Sequence, residues 1–148
     1  MTVQQRVQTS GVLGIGYEGR DIDGFVDELL AQDVTRLVDV RLTPISRKRG
    51  FSKTALGQAL RDAGIAYQHC PQLGNPKDNR AGFAGTPLER ERARSIFAAR
   101  LRHPDATRCL AEVARAAASE RIALLCFEAD QERCHRDVVI AELAAQAR

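Results

Sequence analysis

The residues best able to act on a small anionic molecule crowd the last quarter of the chain: Cys126, Glu128, Cys134, His135 and Arg136. Cys134-His135-Arg136 stands where a final helix is expected to begin. A thiol there meets the free amides of a helix N-terminus and a cationic neighbour, and both favour the reactive thiolate. Arg136 can hold an anionic group of a substrate, or the charge that develops on it. His135 titrates near neutral pH and can serve as acid or base. Glu128, Asp130 and Glu132 oppose this arrangement, because negative potential raises a thiol pKa. They also fit poorly with a cysteine phosphatase, whose phosphate loop needs amides and arginine. The plainer alternative is a buried cysteine followed by an arginine paired with Glu128 or Asp39.

The same region admits other chemistry. Cys126, Cys134 and His135, joined by His69 or Cys70, can surround a zinc ion, although no paired C-x-x-C supports one and neighbouring Cys and His seldom reach the same metal. The thiol reading needs no metal and no resident cofactor. Asp39 and Arg41 lie two apart on a strand and project on one side of it. Asp39 should reach the strand end, where it orients His135 or pairs with an arginine. The Asp39-Val40-Arg41 segment resembles a strand end of rhodanese-type sulfurtransferases, whose cysteine lies in a cradle of amides that the acidic segment here does not obviously supply.

Two further motifs are weaker. Gly14-Ile15-Gly16-Tyr17-Glu18-Gly19 matches the dinucleotide pattern G-x-G-x-x-G, with Asp39 twenty residues after Gly19. Glu18, Asp21 and Asp23 crowd the helix start where a pyrophosphate needs bare amides, so the glycines are better explained by a tight turn and close packing. Arg47-Lys48-Arg49 has no acidic residue within the run, and it can hold an anion or keep a loop soluble. Cys109, beside Leu110, reads as core, and His103, before Pro104, as a cap or surface residue.

These residues must be positioned by short strands and amphipathic helices. Residues 11–16, 36–40, 65–69 and 122–127 are brief apolar runs and read as strands. Asp21 and Ser52 can cap helices that carry Phe25, Leu29, Leu56 and Leu60 inward, with Gly64 closing the second. Thr86-Pro87-Leu88-Glu89 supplies an N-cap, a proline at N1 and a glutamate at N3. A further helix runs from Pro104 to about Ser119, and the last begins near Cys134. Residues 70–85, rich in Gly, Pro and Asn, read as a long loop, of a kind that is usually functional or mobile. Alternation of strands and helices predicts a single three-layer α/β domain over 1–148, with a mostly parallel sheet of about four strands and helices on both faces. Ligands of such sheets sit beyond the strand carboxyl ends, where Tyr17, Asp39, Arg41, Tyr67, Cys126 and Glu128 converge.

The chain has 148 residues, 44% hydrophobic and 28% charged, with a formal charge of +3, too small to announce a nucleic-acid binder. Residues 1–10 are polar and expected to be a flexible segment. They lack the apolar run of a signal peptide, and no stretch approaches the roughly 18 apolar residues of a membrane span. A cytoplasmic protein is expected, with its four cysteines as free thiols or metal ligands rather than a disulfide framework.

Taken together, GIGYEG, LVDVR with Pro44 and Ser46, Phe51, GIAYQH, Leu73-Gly74-Asn75, and LLCFE followed by CHR resemble one bacterial and archaeal family. It is the domain-of-unknown-function family numbered four hundred and eighty-eight, and the resemblance runs in order along almost the whole chain. It implies a small α/β domain and no established activity. On matching positions it points to Tyr17, Asp39, Arg41, Pro44, Ser46, Tyr67, Leu73, Gly74, Cys126, Glu128, Cys134, His135 and Arg136. The leading expectation is a thiol-based site acting on a small anionic or phosphate-bearing substrate. Cys134, His135, Glu128 and Asp39 carry the chemistry, and Tyr17, Arg41, Ser46, Arg47, Tyr67 and Arg136 bind. The alternatives are a non-catalytic module for a nucleotide or nucleic acid, and a zinc-binding domain.

Overall fold

In the computed structural model, which describes residues 11–146, four strands build one all-parallel sheet. They are β1 (Gly11–Gly16), β2 (Arg36–Asp39), β3 (Ala66–His69) and β4 (Arg121–Cys126), in the spatial order β1-β4-β2-β3. The expected strands fall within one residue of these bounds. The N-terminal segment expected to be flexible lies outside the described residues.

Six α-helices accompany the sheet among the described residues: α1 (Ile22–Ala31), α2 (Lys53–Asp62), α3 (Arg80–Phe83), α4 (Pro87–Arg100), α5 (Pro104–Ala117) and α6 (Arg136–Gln146). Successive strand residues face opposite layers, so each strand serves two cores. Leu37, Ala123 and Leu125 pack with Phe25 and Leu29 of α1 and Leu56 and Leu60 of α2. Val38, Ile122 and Leu124 pack with Phe97 of α4, Leu110 and Val113 of α5, and Val139 and Leu143 of α6. Burial of each such Leu, Val or Phe side chain is worth about 1.5–3 kcal/mol. The central strand β4 is buried from Ile122 onward, which explains its unbroken apolar run.

Helix ends follow local chemistry. The Asp21 carboxylate accepts the Gly24 amide at 2.8 Å. Thr86 and Glu89 form the reciprocal capping box, and the His103 ring caps α5 through the Asp105 amide. Ser52 differs from expectation. Its hydroxyl accepts the Ser46 amide at 2.9 Å and donates to the Ser46 carbonyl at 3.1 Å, fastening the basic loop instead of capping α2. The long segment after β3 is not featureless: it forms two short 3-10 turns, over Pro71–Leu73 and Lys77–Asn79, before α3.

Strand order determines where a ligand can enter. The connection after β2 passes through α2 on one face, whereas α6 follows β4 on the other, and β2 and β4 are neighbours. Their chain ends therefore diverge and leave a crevice at the carboxyl edge.

Candidate functional site

The β2 side of the crevice is closed by a satisfied ion pair. Asp39, 0% exposed, accepts from Arg41 three times, at 2.9 Å from Nε, 2.7 Å from Nη2 and 3.1 Å from the backbone amide. The Tyr67 hydroxyl donates to Asp39 Oδ2 at 2.7 Å, and Arg41 Nη1 donates to the Phe51 carbonyl at 2.6 Å. The Arg41 guanidinium also lies 5.4 Å from the centre of the Tyr17 ring. Burial alone would lower the Arg41 pKa, but the bonds and charge of Asp39 outweigh it and raise the pKa. Burial and Asp39 likewise push the Tyr67 hydroxyl up.

The β4 side is less complete. Cys126 ends the strand and Cys134 precedes α6, and the two sulfurs are joined in a disulfide. This pair differs from the expectation of free thiols or metal ligands: the 127–133 loop doubles back and returns Cys134 to the strand end. Cys70 and Cys109 remain free and buried. Arg136, only 1% exposed, lies behind the pair, with Nη1 at 2.9 Å from Cys126 Sγ and Nη2 donating to the Ala129 carbonyl at 3.3 Å. Its Nε is buried with no partner. Burial lowers the Arg136 pKa despite the opposing charges of Glu128, Asp137 and Asp130.

His135 completes this half. One ring nitrogen, Nε2, is 2.8 Å from the Val40 carbonyl. A carbonyl can only accept, so Nε2 carries the proton and Nδ1 presents a lone pair. That lone pair lies 3.6 Å from Cys134 Sγ. Burial, helped by the charges of Arg136 and Arg80 and opposed by the Val40 bond, lowers the His135 pKa to about 4. The ring is therefore neutral at pH 7. It packs edge-on against Phe97, which fixes its orientation.

A cavity of about 130 Å³ opens above both halves. Drug-sized ligands occupy roughly 300–1,000 Å³, so the space suits a small molecule or one small group of a larger one. Tyr17, Arg41, Cys126 and Glu128 from the strand ends and Cys134 and His135 from the CHR motif line it. Asp39, Ser46, Arg47, Tyr67 and Arg136 are not among the lining residues. Asp39 and Tyr67 support Arg41 from below, Arg136 supports Cys126 from behind, and Ser46 holds the loop that leaves Arg47 exposed. The guanidinium expected to favour a Cys134 thiolate meets Cys126 instead. Cys134 receives the Arg136 amide at 3.5 Å.

Sequence reasoning missed Arg80, Arg133 and Phe83 in the lining. Arg133 adjoins the CHR motif and was within reach of it. Arg80 lies in the long segment after β3, where no periodicity marks a side chain's direction. That segment reaches the site because Gly74 packs against the Leu42 backbone, with its Cβ position 2.6 Å from Leu42 Cα.

The glycine motif also finds its explanation here. A Cβ on Gly16 would collide with the Glu128 carbonyl, and one on Gly14 with the Gln131 side chain and Arg136 Nε. The Glu18 amide donates to the Phe127 carbonyl at 2.9 Å, and the Glu18 carboxylate accepts the Ala129 amide at 3.0 Å. Gly14 and Gly16 thus admit the close approach of the 127–136 segment.

An all-parallel α/β domain with a polar crevice at its strand carboxyl edge is the class that fold and site define. The model of the family described as domain of unknown function DUF488 matches residues 21–143, and the chain belongs to that family. No curated protein and no solved structure matches it. No described helix is long and apolar enough to cross a membrane.

Proposed function

We propose that this domain is a thiol-based enzyme that reduces a small anionic disulfide through the Cys126–Cys134 couple. One observation carries the reading: two sulfurs meet at the cavity floor, and a guanidinium lies 2.9 Å from one of them. A cation at that distance favours thiolate, and a thiolate is what attacks a disulfide. Cys126 is accordingly the attacking group and Cys134 the resolving one. Arg80 and Arg133 line the cavity and supply positive charge for the substrate's anionic group. Among the described residues Arg80 bonds only to the Asn75 carbonyl, and the ion pair of Arg133 with Asp130 is solvent-exposed, unlike that of Arg41 with Asp39.

The cycle starts from the reduced pair. The Cys126 thiolate attacks one sulfur of the substrate; its disulfide breaks, and the departing thiolate takes a proton from water. Cys134, whose sulfur lies 3.6 Å from His135 Nδ1, then loses its proton to water and attacks the Cys126 sulfur. The second product thiolate leaves and takes a proton from water, and the Cys126–Cys134 disulfide remains. Two electrons have passed to the substrate. An external dithiol returns them together with two protons.

The non-catalytic nucleotide or nucleic-acid reading gains nothing specific, since Arg47 stands outside the cavity lining. The test uses Cys134→Ser protein and an anionic disulfide such as oxidised glutathione. A mixed disulfide should accumulate on Cys126, located by peptide mass, and an uncharged disulfide should react at least tenfold more slowly. In Arg80→Ala and Arg133→Ala proteins that preference should shrink. Equal rates with charged and uncharged disulfides, or no adduct on Cys126, would overturn the proposal.

A further inference from the structure

We propose that the reduced site binds one Zn²⁺ ion through Cys126 Sγ, Cys134 Sγ and His135 Nδ1, leaving a fourth position open to the cavity. The three donor atoms lie within 4.8 Å of one another and belong to buried residues. In tetrahedral zinc sites, with Zn–S of about 2.3 Å and Zn–N of about 2.0–2.1 Å, neighbouring donors are separated by about 3.5–3.8 Å. Cys134 Sγ and His135 Nδ1 already stand 3.6 Å apart.

The histidine supplies an independent argument. Metal-binding imidazoles almost always donate their other N–H to a carbonyl or carboxylate, which fixes the tautomer and aims the ligating nitrogen. His135 has that arrangement: Nε2 donates to the Val40 carbonyl at 2.8 Å. Its lone pair faces two sulfurs. Cys134 Sγ lies 3.6 Å from that lone pair, so a cation held by the reduced sulfurs finds the imidazole as a third donor.

Backbone spacing agrees. The Cα atoms of Cys126 and Cys134 are 7.4 Å apart, beyond the roughly 4.4–6.8 Å usual for directly bridged cysteines. Reduction can therefore part the sulfurs by side-chain rotation and make room for an ion between them. The balance is simple: a phosphine or dithiol supplies two electrons, the pair takes up two protons, and zinc displaces both on binding. Two thiolates then neutralise the ion. Arg136 at Cys126 Sγ offsets the thiolate charge before the metal arrives, and Glu128, whose Oε1 lies 3.6 Å from Cys126 Sγ, borders the open position. Three protein ligands and an open face define an exchangeable site, in contrast to the closed four-ligand structural kind.

Zinc and thiol–disulfide exchange draw on the same two sulfurs, so zinc would mask the reduced pair. The metal proposal does not depend on the enzymatic one. Its test takes the full chain reduced with a phosphine under argon, freed of reductant and titrated with Zn²⁺ against a chromophoric chelator. One equivalent per chain is expected, and none for the oxidised protein. Co²⁺ in place of zinc should give a thiolate-to-metal charge-transfer band. His135→Gln should weaken zinc binding at least tenfold while keeping that band, which holds even if the cysteine variants fail to fold. No stoichiometric zinc, no thiolate band, or unchanged affinity in His135→Gln would overturn the inference. Stoichiometric zinc without disulfide exchange sinks only the enzymatic reading, and exchange without zinc sinks only this one.

Discussion

Arg41 and Arg136 both lie buried at the carboxyl edge of the sheet, yet the protein uses them in opposite ways. Arg41 meets a carboxylate on two sides, a carbonyl on a third and a tyrosine ring, and its pKa rises. Arg136 meets a sulfur and one carbonyl, keeps a buried Nε without a partner, and its pKa falls. A satisfied buried ion pair holds β2 to its surroundings and has little left to offer a ligand. An under-satisfied guanidinium beside a sulfur favours the charged, reactive form of that sulfur. Of two buried arginines, one has its charge matched by a carboxylate and the other does not. What separates them is the partner each is given.

Breaking each arginine should expose that difference. Arg41→Met leaves the Asp39 carboxylate buried and uncompensated, which should cost about 3–5 kcal/mol in urea unfolding. Arg136→Met abandons no carboxylate by direct contact and should cost less, about 1–3 kcal/mol. In exchange it should raise the pH at which Cys126 becomes reactive, measured on the reduced protein by alkylation. An equal stability loss in both variants would erase the contrast. Gly16→Ala forces a Cβ into the Glu128 carbonyl, and the resulting displacement should cost about 1–3 kcal/mol while loosening the cysteine pair.

Protons sharpen the same comparison. His135 has a folded pKa of about 4, below the ordinary value of about 6.5. The unfolded chain therefore binds this proton more readily, and the stability tied to neutral His135 is lost as pH falls from about 6.5 towards 4. Urea midpoints of the oxidised protein should decline over that window, and His135→Gln should flatten the decline. The smallest effect belongs to the thiols outside the site. Burial, joined by Cys109, pushes the Cys70 thiol up, so Cys70 should stay unalkylated in the native protein at pH 8 and react only on unfolding.

The fold was legible because its signals are local. Thr86 to Glu89 announced a helix start that the structure reproduces as a capping box, and the apolar continuity of Ile122 to Phe127 announced a strand, which runs over Arg121–Cys126. Cys126, Cys134 and His135 were visible as chemistry-bearing types at predictable strand and helix ends. Which groups would touch was not visible. That Arg136 reaches back to Cys126, that His135 finds the Val40 carbonyl, and that Arg80 arrives from the loop after β3 all depend on tertiary packing. Ser52 shows the same limit at smaller scale. Its type permits capping, but the partner it found was Ser46.

The central claim, that Cys126 and Cys134 form a reversible couple at the cavity floor, is tested most directly by equilibrating the native protein in glutathione buffers of graded potential. Each cysteine would then be assigned by alkylation and peptide mass. The account predicts a single two-electron transition confined to Cys126 and Cys134, with Cys70 and Cys109 reduced throughout and the fold intact at both ends. A pair that never bonds under oxidising buffer, or that is reduced only when the protein unfolds, would contradict it.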